Sequence, residues 1–354
     1  MKLSSAMKRA YERGYLEGPD WFCDFSQSEV EGLGCDDGVD RRDPSRVIKI
    51  GDTYYVYYSR SEGISMREKA GLEDKCVPWD KCEIWYATSK DTYNWEEKAM
   101  VVTMGEKGSY DDRSVFTPEI LAYDGKYYLV YQVCDGPYKL PHHESIAMAV
   151  SDKPEGPFIK SATPVVEPSK DGVWEENPQT YADVAKKGGF DSLNVHDPIL
   201  FEFHGKFHLY YKGEVMGEEL AMGGRETKWG VAIADDIMGP YVKSEYNPVS
   251  NSGHETCLWK YNGGMAAYLN LDGPEKNTIQ FAEDGINFEI KSVIAAEPPK
   301  AMGPYMDGES ITDCLEGVKW GLCHHWKNGY TYIRRFDRND SQKEGFEARK
   351  KGKK

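Results

Sequence analysis

Three acidic residues stand where short apolar runs begin: Asp43 ahead of PSRVIKI, Asp197 ahead of PILFEF and Glu255 ahead of TCLWKY. Thr117, ahead of PEILAY, holds the same place in a fourth stretch, with Glu119 two positions on. Residues i and i+2 of a strand share a face, so Thr117 and Glu119 point the same way. Carboxylates gathered at one point can divide acid and base work. One activates a water, and an acid protonates the leaving oxygen. A third between them orients the substrate and favours the protonated acid by like-charge repulsion. That is the chemistry of glycosidic-bond hydrolysis. The same oxygens are natural ligands of a hard divalent cation, and both uses can share a site. Asp-Pro is also a common turn opener, which leaves a purely conformational reading of Asp43 and Asp197 open.

The elements that must position these residues repeat. In each stretch a glycine follows eight positions after the polar residue (Gly51, Gly125, Gly205 and Gly263), and an aromatic alternating run comes next. This reads as strand, hairpin turn, strand. A weaker fifth copy starts at Glu309 and carries Gly317. Third strands follow at 84–89, 146–151, 230–235 and 278–284, and the closing phrases GPFIK and GPYVK recur. Aromatics at 13% and 35 glycines fit an all-β chain. Phase-locked recurrence of three or four strands predicts a five-bladed β-propeller, closed by residues near 20–27 or 329–337 pairing into the last blade. The first strand of each blade is innermost. Asp43, Thr117, Asp197, Glu255 and Glu309 are therefore expected near the axis.

Insertions at roughly 60–82, 165–192 and 212–228 lengthen the blades. Trp79 and Trp174 lie in them, either as sugar-stacking platforms or as loop anchors. Gln132, after the second strand of blade two, is expected to reach the pocket, as is His196, which precedes Asp197. His142-His143 and His324-His325 are adjacent pairs whose members point to opposite strand faces. They make poor metal ligands as pairs, and one of the second pair is expected to face the axis.

Before the propeller, Leu3, Ala6, Met7 and Ala10 have helical spacing. A helix this short needs a partner, either the propeller or another chain. The domain reading is a helical dimerisation segment over 1–18, a catalytic propeller over 19–338 and a basic tail over 339–354. A net charge of −15 argues against a nucleic-acid groove. No apolar run approaches a membrane span, and residues 1–20 have no secretory apolar core. The expected compartment is the cytoplasm, or the periplasm for a processed form. The eight cysteines form no CxxC pair, and free thiols are expected. No phosphate-binding loop or other organic-cofactor motif is present.

The chain resembles glycoside hydrolase family 117, within the five-bladed propeller glycosidases related to family 43. The resemblance runs from about Ser4 to Arg338. It rests on Ser4-Ser-Ala6-Met-Lys-Arg9-Ala10 with Gly14-Tyr15, on Arg42-Asp43-Pro44-Ser45, Thr117-Pro118-Glu119 and Val195-His196-Asp197-Pro198, and on Gly253-His254-Glu255-Thr256. It implies an exo-acting, inverting α-1,3-(3,6-anhydro)-L-galactosidase working on neoagaro-oligosaccharides. Asp43 matches the base, Asp197 the central carboxylate, Glu255 the third acidic residue and His254 the acid. Thr117, Glu119, Gln132, His196 and Trp79 would contact the sugar. The resemblance also implies a homodimer that exchanges its N-terminal segment, and a divalent cation (Mg, Ca or Zn) near the axis. Thr117 stands where family 43 relatives carry Asp. The other readings are a family 43-like arabinofuranosidase or xylosidase, and a non-catalytic glycan-binding propeller.

Overall fold

A computed structural model describes residues 24–66, 68–218, 228–294, 298–306 and 318–339. Residues 1–18, expected as a dimerising helix, lie outside the described residues, as do Glu309, Gly317 and all but the first residue of the basic tail. No helix occurs among the described residues. They form five antiparallel sheets arranged as the blades of a propeller, with one extra two-stranded hairpin, Val173–Trp174 with Val184–Lys186, in the blade-two-to-three insertion.

The inner strands are Val39–Arg42 continued by Ile48–Ile50, then Ser114–Tyr123, Asn194–Phe203, Glu255–Tyr261 and Lys300–Pro304. The fifth inner strand is thus Lys300–Pro304, not one opening at Glu309. The glycine-phase signal of a blade depends on a tight hairpin, and blade five joins its first two strands by a longer connection. Closure follows expectation: Phe25–Glu29 pairs antiparallel with Arg334–Arg338 as the outer strand of the last blade. Backbone bonds from Val47 N–H to Pro304 O (2.9 Å) and from Met306 N–H to Val47 O (3.0 Å) join blade five to blade one. A Cβ on Gly303 would sit 2.2 Å from Ser45 O, so only glycine admits that approach.

The second strands explain the aromatic runs. Tyr57, Tyr131, Tyr210, Tyr211 and Tyr268 are all 2% exposed or less and fill the spaces between blades. Two of their hydroxyls lock adjacent blades. Tyr57 donates to Pro154 O (2.5 Å) and Tyr210 to Gly285 O (2.8 Å). Burying a large ring while satisfying its hydroxyl gives area without a desolvated polar atom.

Four inner strands share a backbone device. Asp43, Thr117, Asp197 and Ala301 have φ of 49°, 47°, 51° and 48°. In blades two, three and five the strand pairing shifts register across this point. The axial residues therefore sit at bulges within their strands rather than at strand openings. A left-handed non-glycine residue costs about 1 kcal/mol, so four of them at one level are a built feature. Blade four differs: its strand begins at Glu255 itself, with the left-handed residue two positions earlier at Gly253 (φ 106°).

Candidate active site

The left-handed turn aims each axial N–H toward a side chain of the preceding blade. Ser59 Oγ accepts from Thr117 N (2.7 Å), and Gln132 Oε1 accepts from Asp197 N (3.3 Å). Glu255 Oε2 accepts from Ala301 N (2.9 Å), and His324 Nδ1 lies 3.4 Å from Asp43 N. Blade-to-blade contacts thus fix the ring of axial residues. In the aromatic second strands, Ser59, Gln132 and His324 are polar interruptions. Lys212 occupies the same register place in blade three, opposite His196.

Two adjoining cavities open at this level. The larger, about 200 Å³, is lined by Trp79, Thr117, Gln132, His196, Asp197 and His254, among others. The smaller, about 100 Å³, contains Asp43, Glu119 and Glu255 and shares Arg42, Thr117, Asp197, Lys212 and His254 with the first. Asp43, Trp79, Thr117, Glu119, Gln132, His196, Asp197, His254 and Glu255 each line one or the other, and Trp174, the second stacking candidate, lines neither.

The axial carboxylates have distinct surroundings. Asp43, 6% exposed, takes Arg42 Nε at 2.5 Å on Oδ2, with Thr117 Oγ1 3.3 Å from the same oxygen, and His324 Nδ1 at 3.1 Å on Oδ1. Burial works against its charge, but the Arg42 guanidinium and His324 outweigh burial and hold the carboxyl well below the usual carboxylate range. Asp197 is paired with Lys212 Nζ at 2.5 Å. Burial alone would lower the pKa of that ammonium. The charges of Asp197, Glu255 and Glu214 instead raise its pKa. Glu119 is committed to a buried ion pair with Arg46, whose backbone N–H it also accepts at 2.8 Å. Glu255 keeps one oxygen, Oε1, beyond its bond to Ala301.

Because Glu255 opens its strand, His254 lies outside the alternation and both side chains reach the cavity. His254 Nδ1 is 3.1 Å from Asp272 Oδ2. Of the two adjacent histidine pairs, His324 faces the axis while His325 packs edge-on against Tyr332. His142 and His143 lie in the loop before strand Glu144–Ser151, so strand alternation does not govern them. Trp79 carries the Arg42 guanidinium 4.7 Å above its ring and is part of the cavity wall. Trp174 instead packs at a tilt against His143 and edge-on against Tyr181.

The far wall of the larger cavity escaped the sequence reading. Glu144 and Glu214, 4% and 9% exposed, flank His196 at 3.5 and 3.6 Å. Asn194 ties them together, accepting from Glu144 N (2.8 Å) and donating to Glu214 Oε2 (3.0 Å). His196 Nε2 is buried without a hydrogen-bond partner. The available signal was again polar: a Glu ends the apolar run FHLYYKGE and another opens ESIAMAVS. Cys134, His142 and Glu144 place three ligand-type atoms within 4.8 Å of one another. Among the described residues, Cys35, Cys76, Cys82, Cys134, Cys257 and Cys323 form no disulfide.

Comparison with known proteins bears on this geometry. The model for glycosyl hydrolases family 43 matches residues 39–177. Zg3597, a family 117 glycoside hydrolase produced by the marine bacterium Zobellia galactanivorans, is 34% identical over 90% of this chain and 91% of its own, with a TM-score of 0.73. BT0996, solved as an RGII complex, shares the fold at 14% identity, covering 94% of this chain and 95% of its own with a TM-score of 0.61. CoXyl43, a GH43 β-xylosidase/α-arabinofuranosidase from a compost microbial metagenome, does so at 16% identity, covering 89% and 95%, with a TM-score of 0.53. No curated protein matches the chain.

Proposed function

The chain belongs to glycoside hydrolase family 117, and on that premise we propose that it removes a terminal, α-1,3-linked 3,6-anhydro-L-galactose from neoagaro-oligosaccharides with inversion. The observation that carries this reading is the convergence of Asp43, Asp197, Glu255 and His254 on one pair of adjoining cavities, sized for a single terminal sugar.

Asp43, ionised and fixed by Arg42 and His324, takes the proton of the attacking water. Asp197, balanced by Lys212, faces the charge that develops on the sugar ring. His254 donates to the leaving oxygen. Glu255 is the poorer donor because its Oε2 is already engaged as the acceptor of the Ala301 N–H. An imidazole titrates near neutrality and needs no raised carboxyl pKa to act as an acid. The cation expected at the axis finds Asp43 and Asp197 already charge-compensated by Arg42 and Lys212, so these residues fit a hard divalent ion poorly and no step is assigned to it.

A family 43-like pentosidase is the second reading, favoured by the family 43 match over residues 39–177. Incubation with neoagarobiose, and separately with aryl arabinofuranoside and xyloside, decides between them. Release of anhydro-galactose, as the inverted anomer by NMR, is the expected result. Release of pentose alone supports the second reading, and no release from any substrate overturns both.

A further inference from the structure

We propose that Cys134, His142 and Glu144 bind one zinc-like divalent cation in the wall of the larger cavity, away from the axial carboxylates. The three side chains are 0%, 7% and 4% exposed. His142 Nδ1 lies 2.9 Å from Leu140 O, and a carbonyl only accepts, so this nitrogen carries a proton and is directed away from the other two side chains. The Tyr181 hydroxyl stands 2.8 Å from the same nitrogen. The other ring nitrogen, Nε2, faces Glu144 Oε1 at 3.9 Å. That separation is too long for a charge-assisted hydrogen bond, which closes to about 2.7–2.9 Å, and it leaves room for an ion between the two donors.

The third donor, the Cys134 thiol, completes a set spanning 4.8 Å. Bonds of about 2.0–2.3 Å to N, O and S bring such ligands roughly 3.3–3.8 Å apart, so the set needs to contract by about 1 Å. The supports that metal ligands usually have are in place. The Leu140 carbonyl orients the imidazole, and the Tyr138 hydroxyl donates to Glu144 Oε1 at 2.8 Å. Gln132 Nε2 donates to Oε2.

Thiolate with imidazole selects zinc or cobalt over magnesium or calcium. His142 and Glu144 line the cavity and Cys134 does not, so the fourth coordination position opens inward, toward a water or a sugar hydroxyl. The thiol now donates to Gly136 O (3.1 Å). On binding it gives up that proton to solvent.

Cobalt(II) titration of the chelator-treated full-length protein tests this. The expected result is one cobalt per chain with a near-ultraviolet thiolate-to-cobalt charge-transfer band, loss of the band on adding zinc, and release of protons. Cys134→Ser should abolish the band and weaken zinc binding by about a hundredfold or more. Asp43→Asn and Glu255→Gln should retain both. A wild-type protein that binds cobalt without the band, or that binds none at micromolar concentration, overturns the proposal, as does unchanged zinc affinity in Cys134→Ser. The wild-type spectrum decides even if the serine variant fails to fold. Because every readout is binding, the result is independent of whether neoagarobiose is cleaved.

Discussion

His254 Nδ1 and Asp272 Oδ2 lie 3.1 Å apart, across the mouth of blade four. Asp272 follows the second strand of that blade at φ 40°, and its carbonyl accepts the Gly253 N–H at 3.1 Å. The turn before the strand and the turn after it therefore brace each other. The hydrogen bond to His254 is the main influence holding the Asp272 carboxyl below its usual range. With Nδ1 held by a carboxylate, the other ring nitrogen is left for the leaving oxygen.

Asp272→Asn keeps the shape and removes the charge. kcat for neoagarobiose should fall by about tenfold or more, with KM little changed, because the His254 ring loses the carboxylate that holds its Nδ1. An unchanged kcat would show that Asp272 only braces the loop.

His254→Ala and Glu255→Gln separate the donor from its neighbour. Loss of the donor should cost about 10²–10⁴-fold on a natural disaccharide and far less on an aryl glycoside with a good leaving group. The selective rescue is expected for His254→Ala. Its appearance in Glu255→Gln instead would reverse the assignment.

Asp43→Asn should lower kcat/KM by about 10²–10⁴-fold. Its effect on stability carries a sign. The folded carboxyl lies below the unfolded value of about 3.9. The stabilisation it brings is therefore present above that value and lost as pH falls through the folded one. The difference in urea midpoint between wild type and variant should hold from neutrality to about pH 5 and close only in stronger acid. Closure near pH 6 would mean that Arg42 and His324 do not hold the charge.

Lys212→Met removes the counter-charge of Asp197. The lysine side chain is 4% exposed and the aspartate side chain 25%. Breaking such a pair costs about 3–5 kcal/mol when both ends are buried, so a loss of about 2–4 kcal/mol is expected here. Chemical denaturation measures it, and a change under 1 kcal/mol would place Asp197 in effective contact with water.

The apolar stripe Leu3, Ala6, Met7 and Ala10 predicts a partner for the first segment. Light scattering at micromolar concentration should show a dimer for the full chain and a monomer once residues 1–18 are deleted. A full chain that is already monomeric would end the segment-exchange proposal.

Periodicity alone determined a good deal of this molecule. Strand alternation and an eight-residue glycine phase are local properties, and they sufficed for the five blades, for the hairpin glycines and for an axial level holding Asp43, Thr117, Asp197 and Glu255. Blade five was misread at Glu309 because its inner strand, Lys300–Pro304, carries Ala301 where the others carry a polar residue. Closure of the ring decided the rest. His324 meets Asp43, Glu255 meets Ala301, and Glu144 meets His196, each across a blade boundary and between residues far apart in the chain. A local pattern sets which face a side chain takes. Which distant side chain it then meets depends on how many blades close the circle and at what register, and only the packed structure holds that information.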